Sequence, residues 1–349
     1  MDILYTGIDM SNKDSWVFGF TGDGEIVLDD SLKTLDESDW KKQLEQLSKE
    51  YEIWVAYEMG PHYEWMQGLL EAYCRKVVVV NAGAFAAISQ SVKKTDREDA
   101  IKLAEGVRRG DLPDVFVPPP QSRKDRRLVS FVHWHSRREG NAKTRLRSLL
   151  STYRLSCPCS DIGSGKARAW FEREAWPRMD DQGKCLSEML LEELTLLGKQ
   201  RAVLDKEVER RLAYYEDDAE VLRSVPGFGP LTVLALISMI VDIRRFERAE
   251  KLSGYFGTCG RIYQSGQVLR LGSMTKRGNK TVRWLLSQAV HHLHRADPRA
   301  RKRYLRLKRR KPTGVALGAQ VNWLVRIVYY LLKDKTAYRI NRRATKRAA

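Results

Sequence analysis

Hydrophobic positions change their period along the chain. Apolar residues alternate in short runs between residues 4 and 30. A first strand is predicted from Leu4, a second over Ser15–Phe20 and a third over Glu25–Leu28. Gly22-Asp23-Gly24 lies between the last two, and an Asp-Gly pair between alternating segments is a strong hairpin signal. A polar helix is predicted over about Glu37–Lys49, then the strand Tyr51–Glu58 and a helix over about His62–Cys74 with Pro61 near its start. The buried-looking strand Val77–Val80 and a helix from about Thr95 to Arg108 follow. Strands alternating with helices after a three-strand opening predict an α/β domain with a mixed sheet. Pro118-Pro119-Pro120 closes it, because three prolines continue neither a helix nor a central strand.

From Gln121 to Arg154 the pattern is helical and very basic, until a Cys-, Pro-, Gly- and Ser-rich stretch (Cys157–Gly165) interrupts it. Residues 186–220 then carry Leu190, Leu194, Leu197, Leu204 and Val208 near a three-four spacing, with charges on the remaining faces. That pattern predicts one long amphipathic helix, coiled-coil-like, which would pair either with another subunit or within its own chain. A C-terminal helical domain is expected from about Val221, with a frayed basic tail from Thr336. The predicted division is 1–120, 121–220 and 221–349. The longest apolar runs (Val77–Val80, Leu231–Ile240, Ile327–Leu332) fall short of the roughly 18–20 residues that span a bilayer. No membrane partner is therefore expected.

Charge sharpens this division. Residues 1–120 hold 13 Lys and Arg against 22 Asp and Glu, whereas the other 229 residues hold 49 against 22. An acidic head and a body of net charge +27 suggest a cation-binding front and a polyanion-binding remainder, which points to nucleic acid. Five cysteines in no disulfide rhythm, and an N-terminus without a signal-peptide pattern, fit a reducing cytoplasm and association with the nucleoid.

Asp9 lies on the first strand, Glu58 ends the strand Tyr51–Glu58, and Asp96 and Asp99 share one face at the start of the Thr95 helix. Two Mg²⁺ ions about 4 Å apart, the arrangement that cleaves phosphodiesters, need several hard oxygen ligands converging on one place. Acids on a first strand, a later strand end and a helix are the arrangement of a ribonuclease-H-like nuclease. Ser224-Val225-Pro226-Gly227-Phe228-Gly229-Pro230 has the shape of a helix-hairpin-helix, in which Gly227 and Gly229 would let backbone N–H groups approach a phosphate. Ser265-Gly266 lies among Arg261, Arg270, Lys276, Arg277 and Arg283. A serine among cations would be either a phosphate contact or a nucleophile toward phosphorus, and Ser273 and Thr275 are equal candidates on this evidence. His291, His292 and His294, and Cys157-Pro158-Cys159, lack a second ligand pair for zinc. Trp134 and Tyr153 would serve either as stacking surfaces for RNA bases or as core residues.

Gly7-Ile8-Asp9, Tyr57-Glu58, Lys94-Thr95-Asp96-Arg97-Glu98-Asp99-Ala100, Val225-Pro226-Gly227-Phe228-Gly229 and Tyr263-Gln264-Ser265-Gly266 occur in this order. Together they resemble the insertion-sequence transposases with an Asp-Glu-Asp-Asp RuvC-like domain, a group that includes Piv-type DNA invertases. The resemblance implies a RuvC-like α/β domain, a coiled-coil-like linker and an all-α transposase domain. It implies Asp9, Glu58, Asp96 and Asp99 as Mg²⁺ ligands, and Ser265 as the nucleophile that forms a 5′-phosphoserine link to DNA. It further implies a structured non-coding guide RNA that pairs with element ends and target, and dimers that join into tetramers with a composite site. Where a common family form has Ala-Thr-Gly after the glutamate, this chain has Met59-Gly60-Pro61. Two other readings stand beside this one: a hydrolytic junction-resolving nuclease in which Ser265 only touches phosphate, and a non-catalytic nucleic-acid scaffold.

Overall fold

In the computed structural model, residues 1–60, 62–81, 95–265 and 268–340 are described, apart from the side chains of 262–271. Pro61, Lys94 and Gly266, each part of a stretch cited above, lie outside the described residues. The chain forms two compact units, Met1–Pro120 and the remainder from Gln121.

The first unit is built on β1 (Asp2–Asp9), β2 (Asp14–Phe20), β3 (Ile26–Lys33), α1 (Glu37–Glu50), β4 (Tyr51–Glu58), α2 (Tyr63–Tyr73), β5 (Lys76–Val80) and α3 (Asp96–Arg109). The sheet order is β3-β2-β1-β4-β5. The β1-β2 and β2-β3 pairs are antiparallel, and the β1-β4 and β4-β5 pairs are parallel, so the sheet is mixed as the pattern predicts. Alternation decides its two faces. Leu4, Ile8, Ile53, Val55 and Tyr57 pack with Trp40 and Leu44 of α1 and Met66 and Leu70 of α2. Ala56, Val78 and Val80 turn to the opposite face, against Leu103 and Val107 of α3. Gly7 sets how closely α3 approaches that face. A Cβ there would stand 2.0 Å from the Ala100 carbonyl oxygen and 2.6 Å from the Ala104 nitrogen, so only glycine lets this helix lie on β1.

The second unit is mainly helical: α4 (Pro120–Thr152), α5 (Gly165–Trp170), α6 (Asp181–Leu212), α7 (Glu216–Arg223), α8 (Pro230–Ile240), α9 (Ala249–Tyr255), α10 (Lys280–Ala296), α11 (Pro298–Lys308) and α12 (Thr313–Asp334). Three segments were expected, but no division falls at residue 220. Val129 and Val132 of α4 and Val208 and Leu212 of α6 belong to the same core as the helices from α7 to α12. The single helix expected over 186–220 is also broken, by a short 3-10 turn at Ala213–Tyr215. That turn brings the Tyr215 hydroxyl within 2.6 Å of buried Asp125, which also accepts from Arg211 Nε at 2.6 Å. Burial, followed by the Asp125 carboxylate, pushes the Tyr215 hydroxyl up to about 12.

α8 is apolar on every side and buried from Thr232 to Ile240, so its C-terminal carbonyls need partners from elsewhere. Arg126 donates to Ser238 O at 2.9 Å and Met239 O at 3.1 Å, and Arg245 donates to Ile240 O at 2.7 Å. α12 was not foreseen as a long apolar element. Its 22 residues are long and apolar enough to cross a membrane, yet half of that window is buried in this unit's core through Val321, Leu324, Val325 and Val328. All five cysteines are free thiols.

The sharpest test of the first unit compares two glycines. Gly7→Ala should cost about 3 kcal/mol in urea unfolding, because α3 must lift from β1. Gly22→Ala, with nothing within 4 Å of the added Cβ, should stay within about 0.5 kcal/mol of the parent.

Candidate active site

The parallel ladder of β1 and β4 pairs Gly7 with Ala56 and Ile8 with Tyr57, so Asp9 and Glu58 follow side by side at one sheet end. Parity gives their direction. Gly7 meets α3, and Trp54 and Ala56 pack on the α3 face, so Asp9 and Glu58, each two residues on, belong to that same face. Both are partly buried.

The first turn of α3 lies over this end of the sheet, because Gly7 abuts Ala100, the residue after Asp99. Thr95 caps the helix, its hydroxyl accepting from Glu98 N at 3.2 Å. Arg97 fixes the turn laterally through a bidentate pair with Asp29 of β3, and its guanidinium lies 5.9 Å from the Phe18 ring centre. The Arg97 hydrogen bond is the main reason that the Asp29 carboxyl sits below its usual range, with Trp16 adding a second donor. Asp99 is partly buried and paired with Lys102 at 3.2 Å, whereas Asp96 is exposed at the helix start.

The donor set is carboxylate oxygen only, which suits a hard divalent cation, and three backbone positions meet at one edge. Among the described residues, no three Asp, Glu, His or Cys side chains stand close enough to enclose an ion in this arrangement. Asp99 meets Lys102 through its Oδ1, so a cation there would share this carboxylate with the ammonium. Sequence reasoning did not identify Lys102, although its i, i+3 spacing from Asp99 was readable.

In the second unit, the glycine hairpin joins α7 to α8. Gly227 has φ +91°, and a Cβ on it would lie 2.7 Å from His292 Cβ and 2.8 Å from Ala289 O of α10. Its glycine is therefore required by helix packing. Gly229 differs: it is exposed, caps α8 and has open space around it.

The serine was expected in a Gly-rich loop within an all-α domain. Instead, β6 (Gly260–Ser265) and β7 (Val268–Met274) form a two-stranded antiparallel ribbon. Ser265 is the last residue of β6, opposite Val268, and Arg270 lies opposite Tyr263. The β-favouring residues Ile262 and Tyr263 on one side of Ser265-Gly266 and Val268 on the other were the missed signal. Arg261, Lys276 and Arg277 are exposed near the ribbon's root. That root is tight: a Cβ on Gly257 (φ +64°) would meet Gly278 N at 2.5 Å. Arg283 is an internal clamp, since its Nη1 donates to Phe256 O at 3.1 Å and Gly278 O at 2.5 Å, and burial lowers its pKa.

Comparison with known proteins finds a family match reaching into each unit, the first of them running past Pro120 through α4. Residues 6–155 match a family model described as Transposase (DEDD_Tnp_IS110), and residues 219–305 match the Transposase IS116/IS110/IS902 family. The chain is similar to a Pseudomonas aeruginosa protein described as a probable family 20 transposase, 27% identical over 97% of this chain and 99% of that one. It is also similar to the Coxiella burnetii transposase for insertion sequence element IS1111A, 28% identical over 70% of this chain and 68% of the relative. A Streptomyces clavuligerus protein of insertion element IS116 is 22% identical over 97% of this chain and 96% of its own length. The chain, an α/β unit followed by a basic, mainly helical unit, is a DNA transposase. Its two matched domains are those of the IS110/IS116 insertion elements.

The hairpin glycines can be separated experimentally. Gly227→Ala should lose about 2 kcal/mol of stability, from both backbone strain and the α10 contact. Gly229→Ala should lose less than about 1 kcal/mol, so any drop in its DNA affinity in a filter-binding assay would report phosphate approach.

Proposed function

We propose that this transposase cuts and rejoins DNA strands through a covalent serine intermediate, guided by a structured RNA. Asp9, Glu58, Asp96 and Asp99 would hold Mg²⁺, which when bound stabilises charge on the phosphate oxygens. The observation that carries the reading is the adjacency of Asp9 and Glu58 on one sheet face, beneath the helix turn that bears Asp99.

In the proposed reaction, the Ser265 hydroxyl loses its proton and its oxygen bonds to the scissile phosphorus. The bond to the neighbouring 3′ oxygen breaks, and that oxygen takes up a proton as a 3′ hydroxyl. A 3′ hydroxyl of the partner strand then attacks the 5′-phosphoserine and returns serine, so no water is consumed. Arg261, Arg270, Lys276 and Arg277 would hold the phosphate backbone, and Gly229 at the α8 start would take a further phosphate. A site shared between subunits fits this scheme. Met189, Leu196 and Val203 recur every seven residues on α6 and are 62%, 55% and 67% exposed, a stripe suited to dimer pairing. The net charge of the chain and the absence of a disulfide framework fit a cytoplasmic protein on the nucleoid.

Two substitutions test the scheme on denaturing gels with end-labelled DNA. Ser265→Ala should abolish the protein–DNA adduct while leaving nucleic-acid binding intact, and a persistent adduct would remove Ser265 from the mechanism. Asp9→Asn should reduce Mg²⁺-dependent cleavage at least about 100-fold. Free cut ends with no adduct from the parent protein would instead establish the hydrolytic nuclease.

A further inference from the structure

The long helix α4 carries 33 residues, and its only two carboxylates are Asp125 and Glu139. Asp125 is buried on Arg211 and Tyr215, and Glu139 is paired with Lys143 at 2.6 Å. Neither contributes to the face considered next. At about 100° per residue, Arg127, Phe131, Trp134, Arg138 and Arg145 fall within about 60° of arc and form one stripe. Phe131 and Trp134 are 51% and 48% exposed, with ring centres 5.3 Å apart and planes inclined by 39°. The Arg138 guanidinium lies 5.1 Å from the Trp134 ring centre and is held there by Glu193 of α6 at 2.8 Å.

A third exposed ring packs on α4 away from this stripe, against a residue about 100° around the helix from Trp134. Trp284 of α10 is 40% exposed, and its ring centre is 4.7 Å from that of His133 of α4. Burial, then the charges of Arg137 and Lys280, lowers the His133 pKa, so these two cations border the ring pair. Large aromatic rings half open to solvent, interleaved with cations and bordered by more, are costly for a monomer to leave uncovered. The apolar stripe on α6, Met189, Leu196 and Val203, has no such ring-and-cation alternation.

We propose that the α4 stripe, with Phe131 and Trp134 at its centre, is a stacking platform for unpaired nucleotides of a nucleic-acid strand. Bases stack on the rings, and Arg127, Arg138 and Arg145 meet the phosphates between them. A paired duplex hides its base faces and gains only the phosphate contacts. The platform therefore separates single-stranded from double-stranded segments without reading sequence. Tyr153, the other aromatic candidate, just past the end of this helix, is not part of the platform, because its hydroxyl donates to Asp180 at 2.6 Å and its ring covers Gly183.

The inference rests on reading the chain as a nucleic-acid recombinase, but its test does not need catalysis. Fluorescence anisotropy of the full chain in EDTA, with a labelled single strand of about 12 nucleotides and a blunt duplex of the same sequence, measures binding alone. Phe131→Ala combined with Trp134→Ala should weaken single-strand binding at least about tenfold and leave duplex binding within about twofold. Trp134→Phe alone should retain most of the affinity, since it keeps a ring. Running the single strand as RNA and as DNA identifies which strand is held, and the tighter of the two is the occupant. Unchanged single-strand affinity in the double variant would overturn the proposal. So would equal losses for strand and duplex, or loss of self-association in sedimentation with oligonucleotide affinity intact, which would assign the face to a second copy of the chain. A failed serine adduct leaves all of these readings unaffected.

Discussion

The approach of α3 to β1 at Gly7 is the contact on which the acidic unit depends. A helix over a sheet usually stands off by the length of the side chains between them. Here a strand position without a side chain lets the helix backbone meet the strand directly, through Ala100 and Ala104. The small residues on both sides fix the depth of the helix, and the Arg97–Asp29 pair and the Phe18 ring fix its lateral position. Thr95 fixes where the helix begins. Each restraint acts within a turn of Asp96 and Asp99, so the stability of the fold and the placement of the acids are the same problem.

The second unit solves a different problem. Its core helix α8 has no polar face, and the cost of burying it lies at its ends, where carbonyls lose their helical partners. Arginines from α4 and from the turn after α8 meet those carbonyls. Some of the unit's positive charge therefore faces inward as scaffolding: Arg126, Arg211, Arg245 and Arg283 all serve backbone or buried acid groups. A charge count from sequence overstates the cations left for nucleic acid, though not the sign of the surface.

The alternating strands, the helix starts and the Pro120 boundary were legible because each is a local pattern. Thr95 before acids and Tyr51–Glu58 before Gly60 are written in a few consecutive residues. Residues 186–220 misled because the apolar spacing continues through Ala213–Tyr215, while the break seats Tyr215 on Asp125, about 90 positions earlier in the chain. The ribbon at 260–274 was hidden by its glycines and serines, which look like loop when the pairing of two short strands is not considered. Gly227 carried a motif's meaning in the sequence, and its contact with α10 depends on tertiary structure that no local window contains. The exposure of Trp134 was undecidable for a related reason. A helix of 33 residues buries only some of its stripes, and which one depends on partners far away in the chain.

The ribbon has a mechanical consequence. Its base is gripped where Gly257 and Gly278 cross and Arg283 ties the two backbones, and Ser265 closes the far end of β6. Six residues of strand amount to an arm of roughly 20 Å at about 3.3 Å per residue. That length is comparable to the width of a nucleic-acid helix. Both grips lie at the root, so the pairing of β6 with β7 sets where the end of the arm stands.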